Sequence, residues 1–499
     1  MAGNNRFTLP FCLTNATLFL SKAFFISPPP MNTNQAMLFR PIFWVLFACS
    51  VSMGAYVFIY FFPGSVSPDS LSILTQARTG VFSDHHPPFL AMIWRPLDQF
   101  IPGPSPILFL NLFLFYGGLF LIFTSLVPRY GYSTIVGLVV IGLYPPIIGI
   151  LGVIWIDIAM AAFYVMAIGL LLLSTTLLET KRILRYMSIA FAVVFIYVGS
   201  AFRHNGFAAA FALMCFAYLV LYSFKPLSFK LFLRTFLAGI TGVFLSLMLT
   251  QIISGILVTQ KSQIWRIGAI YDIAGSSFYS NQNLFNQEIF PNTNLHDIKA
   301  LYSPRSWIPL SMGTQIHGLT PEEIKISAPA IDIKDNEKNN KLLLANWIGA
   351  ISTHPLEYFQ HRYNIFKILV GPSPWGLWAP VYDVIYENSL GINNRATPDL
   401  WLYKYIYSIS QSPLFYPIHY LFISIFGLFI TLFLGIKLQN SIYLLVSMLY
   451  LSGIANMAVL FFLVASTDFR YSHWLIVSCS IGSILSLLES CRLLLKNRK

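Results

Sequence analysis

The chain has 499 residues, of which 56% are hydrophobic and only 10% are charged, and its net charge is +12 at neutral pH. Soluble domains carry roughly 25% charged residues, so this composition excludes an ordinary soluble protein and indicates a surface that faces lipid. The five cysteines lie in or beside apolar segments and form no CxxC pair, so neither a disulfide framework nor a cysteine zinc site is indicated.

Residues 1–40 are expected to form a cytoplasmic or interfacial segment. They contain a short apolar run, Leu9 to Ile26, that ends in three prolines, Pro28 to Pro30. This run is compatible with a signal-like segment, with an extra interfacial helix, or with sequence upstream of a later start at Met31 or Met37. No function is assigned to it.

Ten stretches are long and apolar enough to predict transmembrane helices, because about 30 Å of hydrocarbon requires roughly 20 residues. They lie near 41–62, 107–127, 134–150, 154–178, 187–202, 207–224, 236–257, 418–436, 442–465 and 474–490. The expected fold is an all-α polytopic membrane protein. It places helices 1–7 in residues 41–257, with a first outer loop at 63–106. A mixed extracytoplasmic insert follows at 258–417. Helices 8–10 and a basic tail occupy residues 418–499.

The distribution of charge predicts the orientation. The insert contains 12 basic and 12 acidic residues, which leaves 19 basic and 7 acidic residues elsewhere. Most of these basic residues lie in short connections, such as Arg129, Lys181 to Arg185 and Lys437, or in the tail. Positive loops stay in the cytoplasm, so both termini are expected inside and a nucleic-acid partner is unnecessary. A split span within 134–178 would invert every later segment.

Polar residues gather where the predicted helices meet the outer face. The clusters are Ser67-Pro68-Asp69-Ser70 with Gln76, Ser83-Asp84-His85-His86-Pro87, Trp155-Ile156-Asp157, Arg203-His204-Asn205-Gly206 and Thr467-Asp468-Phe469-Arg470-Tyr471. Ionisable residues near hydrocarbon are costly and are usually functional or paired. Several clusters on one side are therefore stronger evidence for a site than any one of them.

Each cluster also has a purely structural interpretation. Asp69 and Asp157 can serve as helix caps or face the positive end of a helix dipole. Residues 203–206 can be a tight turn that uses the backbone freedom of glycine, and Asp468 can pair with Arg470. His85 and His86 lack the spacing of a zinc site.

The same residue types fit one reaction, the transfer of a sugar from a lipid phosphate to an alcohol. A carboxylate can accept the proton of an attacking hydroxyl. Arginine and histidine can hold the phosphate, whose negative charge grows as it leaves. Nucleotide sugars are confined to the cytoplasm, so an enzyme at the outer face needs a donor carried through the membrane on a lipid.

The ordered motifs resemble those of the GT-C superfamily of polyprenyl-phosphate-sugar-dependent membrane glycosyltransferases, closest to a bacterial branch related to the protein mannosyltransferases. The matching elements are Asp69-Ser70, Gln76, His86-Pro87, Trp155 with Asp157, Arg203 to Gly206, Tyr271-Asp272-Ile273-Ala274 and Arg470-Tyr471. The resemblance covers about residues 41 to 475. The chain departs from the mannosyltransferases in having Ser70 where they have a second acid, and His204 where asparagine is common.

The resemblance implies a GT-C-like bundle and an inverting hexosyl or pentosyl transfer with Asp69 as the catalytic base. It implies that Arg203, Arg470 and His86 lie near the donor phosphate. The supporting residues are His85, Asp157, His204, Asn205, Asp468 and Tyr471. No cofactor is required, although Asp69, Asp84 and Asp157 would hold a divalent cation, Mg or Mn, if they converged.

The insert supplies candidates for the acceptor side, namely Asp272, Glu357 and His361. Pro355 predicts a helix start, and the i,i+4 spacing places Glu357 and His361 on one helix face. The alternative is an amphipathic interfacial helix with aromatic anchors. The aromatic residues Trp375, Trp378, Tyr382 and Tyr386 can stack on sugars or lie at the membrane interface.

The leading hypothesis is a glycosyltransferase of the bacterial cytoplasmic (inner) membrane with its active site on the extracytoplasmic side. Its partners would be the bilayer, a polyprenyl-phosphate-linked sugar donor and a glycan, lipid or protein acceptor. One alternative is a polysaccharide polymerase or ligase, which would depend on basic and histidine groups in its large loop. Another is a lipid-linked sugar transporter or flippase, which would place polar residues near the midplane and often shows repeated halves.

Overall fold

A computed structural model describes residues 33–85, 87–177, 181–222, 228–312, 336–372, 380–393 and 401–497. Its helices in chain order are α1 (Thr33–Phe61), α2 (Pro68–Thr79), α3 (Phe89–Phe100), α4 (Ser105–Tyr130), α5 (Ser133–Gly142), α6 (Pro145–Leu151), α7 (Ile156–Thr176), α8 (Arg182–Ala201), α9 (Gly206–Leu221), α10 (Phe229–Leu257), α11 (Trp265–Ser280), α12 (Leu295–Leu301), α13 (Ile308–Met312), α14 (Glu337–Thr353), α15 (Pro355–Val370), α16 (Trp401–Ile409), α17 (Pro417–Lys437), α18 (Ser441–Leu463) and α19 (His473–Asn497). Two short strands, β1 (Phe82–Ser83) and β2 (Val258–Gln260), pair in parallel. The apolar run at 9–26 and His86, Trp375 and Trp378 lie outside the described residues.

The protein is an all-α polytopic membrane protein, as the composition predicts. Eight described helices are long and apolar enough to cross a membrane, namely α1, α4, α7, α8, α10, α17, α18 and α19. Helix α7 lies at the centre, since 89% of its most apolar stretch is buried, against 17% for α10 and 22% for α17. The outward faces of α10 and α17 carry exposed large side chains such as Phe244 and Phe429, which a helix exposes in this number only toward lipid.

The predicted span at 134–150 is a bent pair of helices. Helices α5 and α6 meet at an angle of 52°, because Pro145 and Pro146 begin a new helix after the break. Thr134, at the start of α5, donates to the carbonyl of Gly131 at the end of α4. At the other end, Val153 pairs with Ser65, just beyond α1. The pair therefore connects opposite ends of the bundle, and the bend does not invert the later helices.

The predicted span at 207–224 forms the shorter helix α9, of 16 residues, or about 24 Å at 1.5 Å per residue. Most of its side chains are buried within the bundle, so lipid does not set its length. Its Asn205 end lies beside α18, because Asn205 donates to Asn456 at 2.9 Å. From there α9 runs toward the connection to α10.

Small residues allow the central helices to approach closely. A Cβ atom on Gly118 of α4 would lie 2.6 Å from the backbone nitrogen of Met166 on α7, and one on Gly169 would lie 2.7 Å from the carbonyl of Gly118. Both distances are too short for a side chain. In a bilayer, where apolar burial contributes little between helices, such close backbone packing is a main source of association.

A buried ion-pair network joins helix ends on the face opposite Asp69, which we call the Glu489 face. Glu489 of α19 is fully buried. It accepts hydrogen bonds from Arg129 at 2.6 and 2.8 Å, from Asn440 at 2.6 Å and from Arg492 at 2.7 Å. Because Arg129 lies in the last turn of α4 and Asn440 lies between α17 and α18, the network fixes the ends of four helices on one face. The other face is called the Asp69 face.

Candidate functional site

The site begins at Asp69, in the first turn of α2. Ser67, not Asp69, is the N-cap of this helix, so the interpretation of Asp69 as a cap is wrong. The Oγ atom of Ser70 accepts a bond from the backbone nitrogen of Ser67 at 3.1 Å and donates to the carbonyl of Ile154 at 2.7 Å. These bonds anchor the helix start against α7, while the Asp69 side chain stays 34% exposed.

Arg470 binds Asp69 from the far end of the chain. Its Nη2 atom lies 2.6 Å from Oδ2 of Asp69, and its Nε donates to Oδ2 of Asp468 at 3.0 Å. The side chain of Arg470 is only 9% exposed and that of Asp468 is 2% exposed. The pairing of Asp468 with Arg470 that the sequence left open is therefore present, and Asp69 joins it as a third charge.

Asp468 has an unusual protonation equilibrium for a carboxyl group. Burial raises the pKa of Asp468 to about 6; the charge of Arg470 opposes this rise, and the negative charges of Asp69 and Asp157 add to it. A buried carboxylate in such surroundings titrates close to neutral pH, as functional carboxyl groups often do.

Arg203 and Asp157 form a second ion pair beside the first, in which Asp157 is buried and Arg203 is half-buried. Nη1 of Arg203 contacts Oδ1 of Asp157, and Nε of Arg203 donates to Asn205 at 3.0 Å. Asp157 lies in the first turn of α7, whose N-cap is Trp155. Its negative charge therefore interacts favourably with the positive end of the helix dipole, although Asp157 does not cap the helix. Its second oxygen, Oδ2, is buried without a hydrogen-bond partner among the described residues.

Tyr471 joins the two arginines. The guanidinium carbon of Arg203 lies 4.6 Å from the centre of the Tyr471 ring, and that of Arg470 lies 5.2 Å from it. Arg470 also lies 4.9 Å from the ring of Trp155, whose Nε1 donates to Ser67 at 2.9 Å. The aromatic rings hold both cations in place without neutralising them.

The insert supports this cluster from both sides. The backbone of residues 305–307 binds that of 465–467, with Trp307 donating to Ala465 at 3.0 Å and Thr467 to Arg305 at 3.0 Å. Tyr386 donates to the carbonyl of Val66 at 3.0 Å, which places residues 380–386 along the loop before Asp69. The ring of Tyr382 lies 5.2 Å from that of Trp155. Tyr382 is thus close to the cluster, as its predicted stacking role would require.

Two histidines lie at the edge of the cluster. His204 is exposed, yet desolvation by surrounding protein and the charge of Arg203 lower its pKa; Asp84 opposes this and His85 adds to it. His204, Asp84 and His85 are therefore within electrostatic range of each other. The backbone nitrogen of His85 donates to Ser83 at 3.3 Å. His86, predicted to approach the donor phosphate, lies outside the described residues.

The acceptor-side candidates occupy a separate, buried network. Asp272 and His361 are both fully buried. Asp272 binds Arg362 at 2.5 Å, His361 at 3.2 Å and the indole nitrogen of Trp347 at 2.8 Å. Burial lowers the pKa of His361, and Nδ1 of this ring lies 2.8 Å from the hydroxyl of Tyr302. These contacts hold the insert together and leave neither Asp272 nor His361 exposed to an acceptor.

Helix α15 begins at Pro355, as its sequence predicts. Glu357 and His361 are nevertheless not equivalent on its surface, since the Glu357 side chain is 32% exposed and lies 3.9 Å from His354. Of the three acceptor-side candidates, only Glu357 is accessible. The role of α15 in binding an acceptor stays a prediction.

The three acids considered for a cation have different partners. Asp69 pairs with Arg470, Asp157 pairs with Arg203, and Asp84 accepts a hydrogen bond from the hydroxyl of Ser262 at 2.5 Å. No group of three or more His, Cys, Asp or Glu side chains within the described residues is arranged to hold a metal ion. These residues as placed do not fit a shared cation.

Two residues of this arrangement were not predicted from the sequence. Asn456, 1% exposed within the apolar helix α18, binds Asn205; a polar residue in a predicted span is the signal that would have identified it. Arg362 donates to the carbonyl of Val464 at 2.7 Å, which ties the buried Asp272 network to the segment that leads to Asp468. No motif around Arg362 points to that contact.

No protein-family model, curated protein or solved structure matches the chain.

Proposed function

We propose that the chain is an integral membrane glycosyltransferase that moves a sugar from a polyprenyl-phosphate donor to a glycan, lipid or protein acceptor at the cell surface. The observation that carries this proposal is the pair of guanidinium groups on Tyr471, of which Arg470 is buried and Arg203 half-buried, with the partly exposed carboxylate of Asp69 bound to Arg470. Arginine suits a phosphate because its planar fork matches two oxygens at once.

The charge balance of the cluster suggests how a phosphate enters. With Asp69, Asp157 and Asp468 ionised, the cluster has one more negative than positive charge. An anionic donor therefore binds best when Asp69 leaves Arg470 or when Asp468 takes up a proton. Asp69 is the most exposed of the three acids, so it is the partner that a phosphate displaces with the least desolvation.

Displacement also prepares Asp69 for its proposed role as a base. A carboxylate held by an arginine is a weak base, since the positive charge favours the ionised form. Once released, Asp69 accepts the proton of the acceptor hydroxyl as the hydroxyl oxygen bonds to the anomeric carbon. The bond from that carbon to the phosphate oxygen breaks, and the departing polyprenyl phosphate gains one negative charge. Arg470 and Arg203 stabilise this charge, and attack opposite the leaving group inverts the anomeric centre.

Sidedness supports a lipid-linked donor. Basic residues such as Arg129, Arg185 and Lys437 lie toward the Glu489 face, which the positive-inside rule assigns to the cytoplasm. The Asp69 face would then be extracytoplasmic, in a bacterial-type inner membrane, where the donor sugar arrives on a lipid. The polar residues lie at helix ends on that face, which favours a transferase over a transporter with a midplane site.

The test is sugar transfer by purified protein in vesicles that contain a panel of polyprenyl-phosphate sugars, with membrane extract from cells lacking the protein as acceptor. We expect the Asp69→Asn variant to fold and insert normally and to lose roughly 10²–10⁴-fold in transfer rate. Asp98→Asn is the matched control, because it removes the other ion pair of the first loop, with Arg78, and should stay active. Full transfer by Asp69→Asn would remove the base, and inactivity of the unmodified protein with every donor would contradict the proposed function.

A further inference from the structure

An open cleft lies on the insert, outside the charged cluster. Its volume is about 500 Å³, and it is lined by Gln263, Trp265, Asn336, Glu337, Asn340, Lys341 and Leu344. The volume is in the range of sites that hold small molecules. The cleft is formed between the start of α11 and the first turns of α14.

The backbone at the mouth of this cleft is held in an uncommon conformation. Gln263 has a φ angle of +52°, a left-handed value that is unfavourable for a residue with a side chain. Its Oε1 accepts a hydrogen bond from Nε1 of Trp265 at 2.9 Å. This hydrogen bond fixes the orientation of the Trp265 indole and uses its only donor, the Nε1–H group. Trp265 is half-buried against the core, and the part of its ring that lines the cleft is left for contact with a ligand.

The opposite wall is polar and balanced in charge. Asn340 accepts a hydrogen bond from Nε of Arg266 at 2.7 Å, and Lys341 pairs with Glu337 at 2.6 Å. Glu337 and Lys341 cancel, so the lining has no net charge. Amide, carboxylate and ammonium groups beside an indole can satisfy hydroxyl groups, which both donate and accept hydrogen bonds.

The cleft is also connected to the loop that carries the charged cluster. Ser262, the residue before Gln263, donates to Asp84, and β2 pairs with β1 immediately upstream. Asp84 is within electrostatic range of His204, next to Arg203. A chain-like ligand bound in the cleft would therefore lie at the edge of the Asp69 face, which also carries the charged cluster.

We infer that this cleft binds a neutral saccharide chain, with the indole of Trp265 as its stacking platform and the side chains of Gln263, Asn340 and Glu337 contacting sugar hydroxyls. The inference rests on the proposed function only in identifying this saccharide as the acceptor. Binding itself requires no donor and no transfer.

The experiment measures binding of the full-length protein, in nanodiscs without donor, to immobilised neutral hexasaccharides of glucose, mannose, galactose and N-acetylglucosamine. We expect at least one member of this panel to bind, and Trp265→Ala to weaken that binding by about tenfold. Trp401→Ala removes a tryptophan of the insert that is 50% exposed and lies outside the cleft lining, and this variant should bind normally. Lys338→Ala changes a residue of α14 that lies next to the lining residue Glu337 but outside the lining itself, and it is a second control.

Failure of this inference is separable from failure of the proposed function. Absence of binding to every hexasaccharide, or equal binding by Trp265→Ala and the unmodified protein, would overturn the cleft assignment whatever happens to sugar transfer. Saccharide binding by a protein that transfers no sugar would uphold the cleft and contradict the transferase.

Discussion

Asp69 and Arg470 form a 2.6 Å ion pair in which the carboxylate is 34% exposed and the guanidinium only 9% exposed. Arg470 also donates a hydrogen bond from Nε to Asp468, so its position does not depend on Asp69 alone. One side of Arg470 is thus fixed in the protein interior, while the other ends in a partner that is accessible from the surface. Under the proposed function, an incoming phosphate would replace Asp69 without moving Arg470.

The bidentate character of Arg470 should matter more than its charge. Arg470→Lys keeps the positive charge but cannot contact Asp468, Asp69 and a phosphate in the same geometry. We expect the KM for the lipid-linked donor to rise by about tenfold or more, while the protein still inserts. Arg78→Lys alters an arginine of the exposed pair with Asp98 and is the matched control. An unchanged donor KM in Arg470→Lys would argue against phosphate binding at this position.

Variants of the Arg203–Asp157 pair should separate an effect on stability from an effect on activity. Arg203→Leu leaves Asp157, whose side chain is 3% exposed, as an uncompensated buried charge, and breaking such a pair typically costs about 3–5 kcal/mol. The double variant Arg203→Leu/Asp157→Asn removes that charge and should recover most of the lost thermal stability, measured as Tm in detergent. It should nonetheless stay defective in donor use. Recovery of both properties would make the pair purely structural.

Tyr471 is expected to act through its ring. Tyr471→Phe keeps the aromatic face that contacts both guanidinium groups, so donor affinity should stay within about twofold. Tyr471→Leu loses the cation–π contacts, each worth about 0.5–2 kcal/mol, and should raise the donor KM by about tenfold. Donor titration of the two purified variants distinguishes these outcomes. Equal defects in both would instead assign the effect to the hydroxyl group.

Asp468 should make donor binding depend on pH. Burial raises the pKa of Asp468 to about 6, so lowering the pH through that value protonates the group and removes one negative charge beside the phosphate site. We therefore expect donor binding to tighten by up to about tenfold between pH 7.5 and 5.5, as one pKa unit of coupling allows. Asp468→Asn should abolish this dependence, whereas Asp98→Asn should retain it. Weaker binding at low pH in the unmodified protein would reverse the predicted sign.

The helical architecture could be predicted because it depends on local composition. A helix that faces lipid must satisfy its backbone internally and cover itself with apolar side chains, so each span is visible in its own 20 residues. Eight of the ten predicted spans are long apolar helices. The other two depart for non-local reasons: α5 and α6 bend at Pro145 and Pro146, and α9 is short because neighbouring helices bury it.

The candidate site could be predicted only in part. Asp69, Asp157, Arg203 and Arg470 were recognised separately, from ionisable residues at helix ends, and the structure brings them into two adjoining ion pairs. Asp272 and His361 are acceptor-side candidates from the sequence, yet they lie in a fully buried network with Arg362. Sequence spacing cannot distinguish these two cases, because both put polar residues beside apolar ones.

Composition and hydropathy alone predict that this chain crosses a membrane several times and that its isolated ionisable residues are concentrated at helix ends. Both properties follow from the cost of placing charge in hydrocarbon, which acts on every residue independently. The partner of each charged residue, in contrast, depends on the tertiary structure. Arg470 contacts Asp69 and Glu489 binds Arg129, because helix packing brings together residues that are hundreds of positions apart.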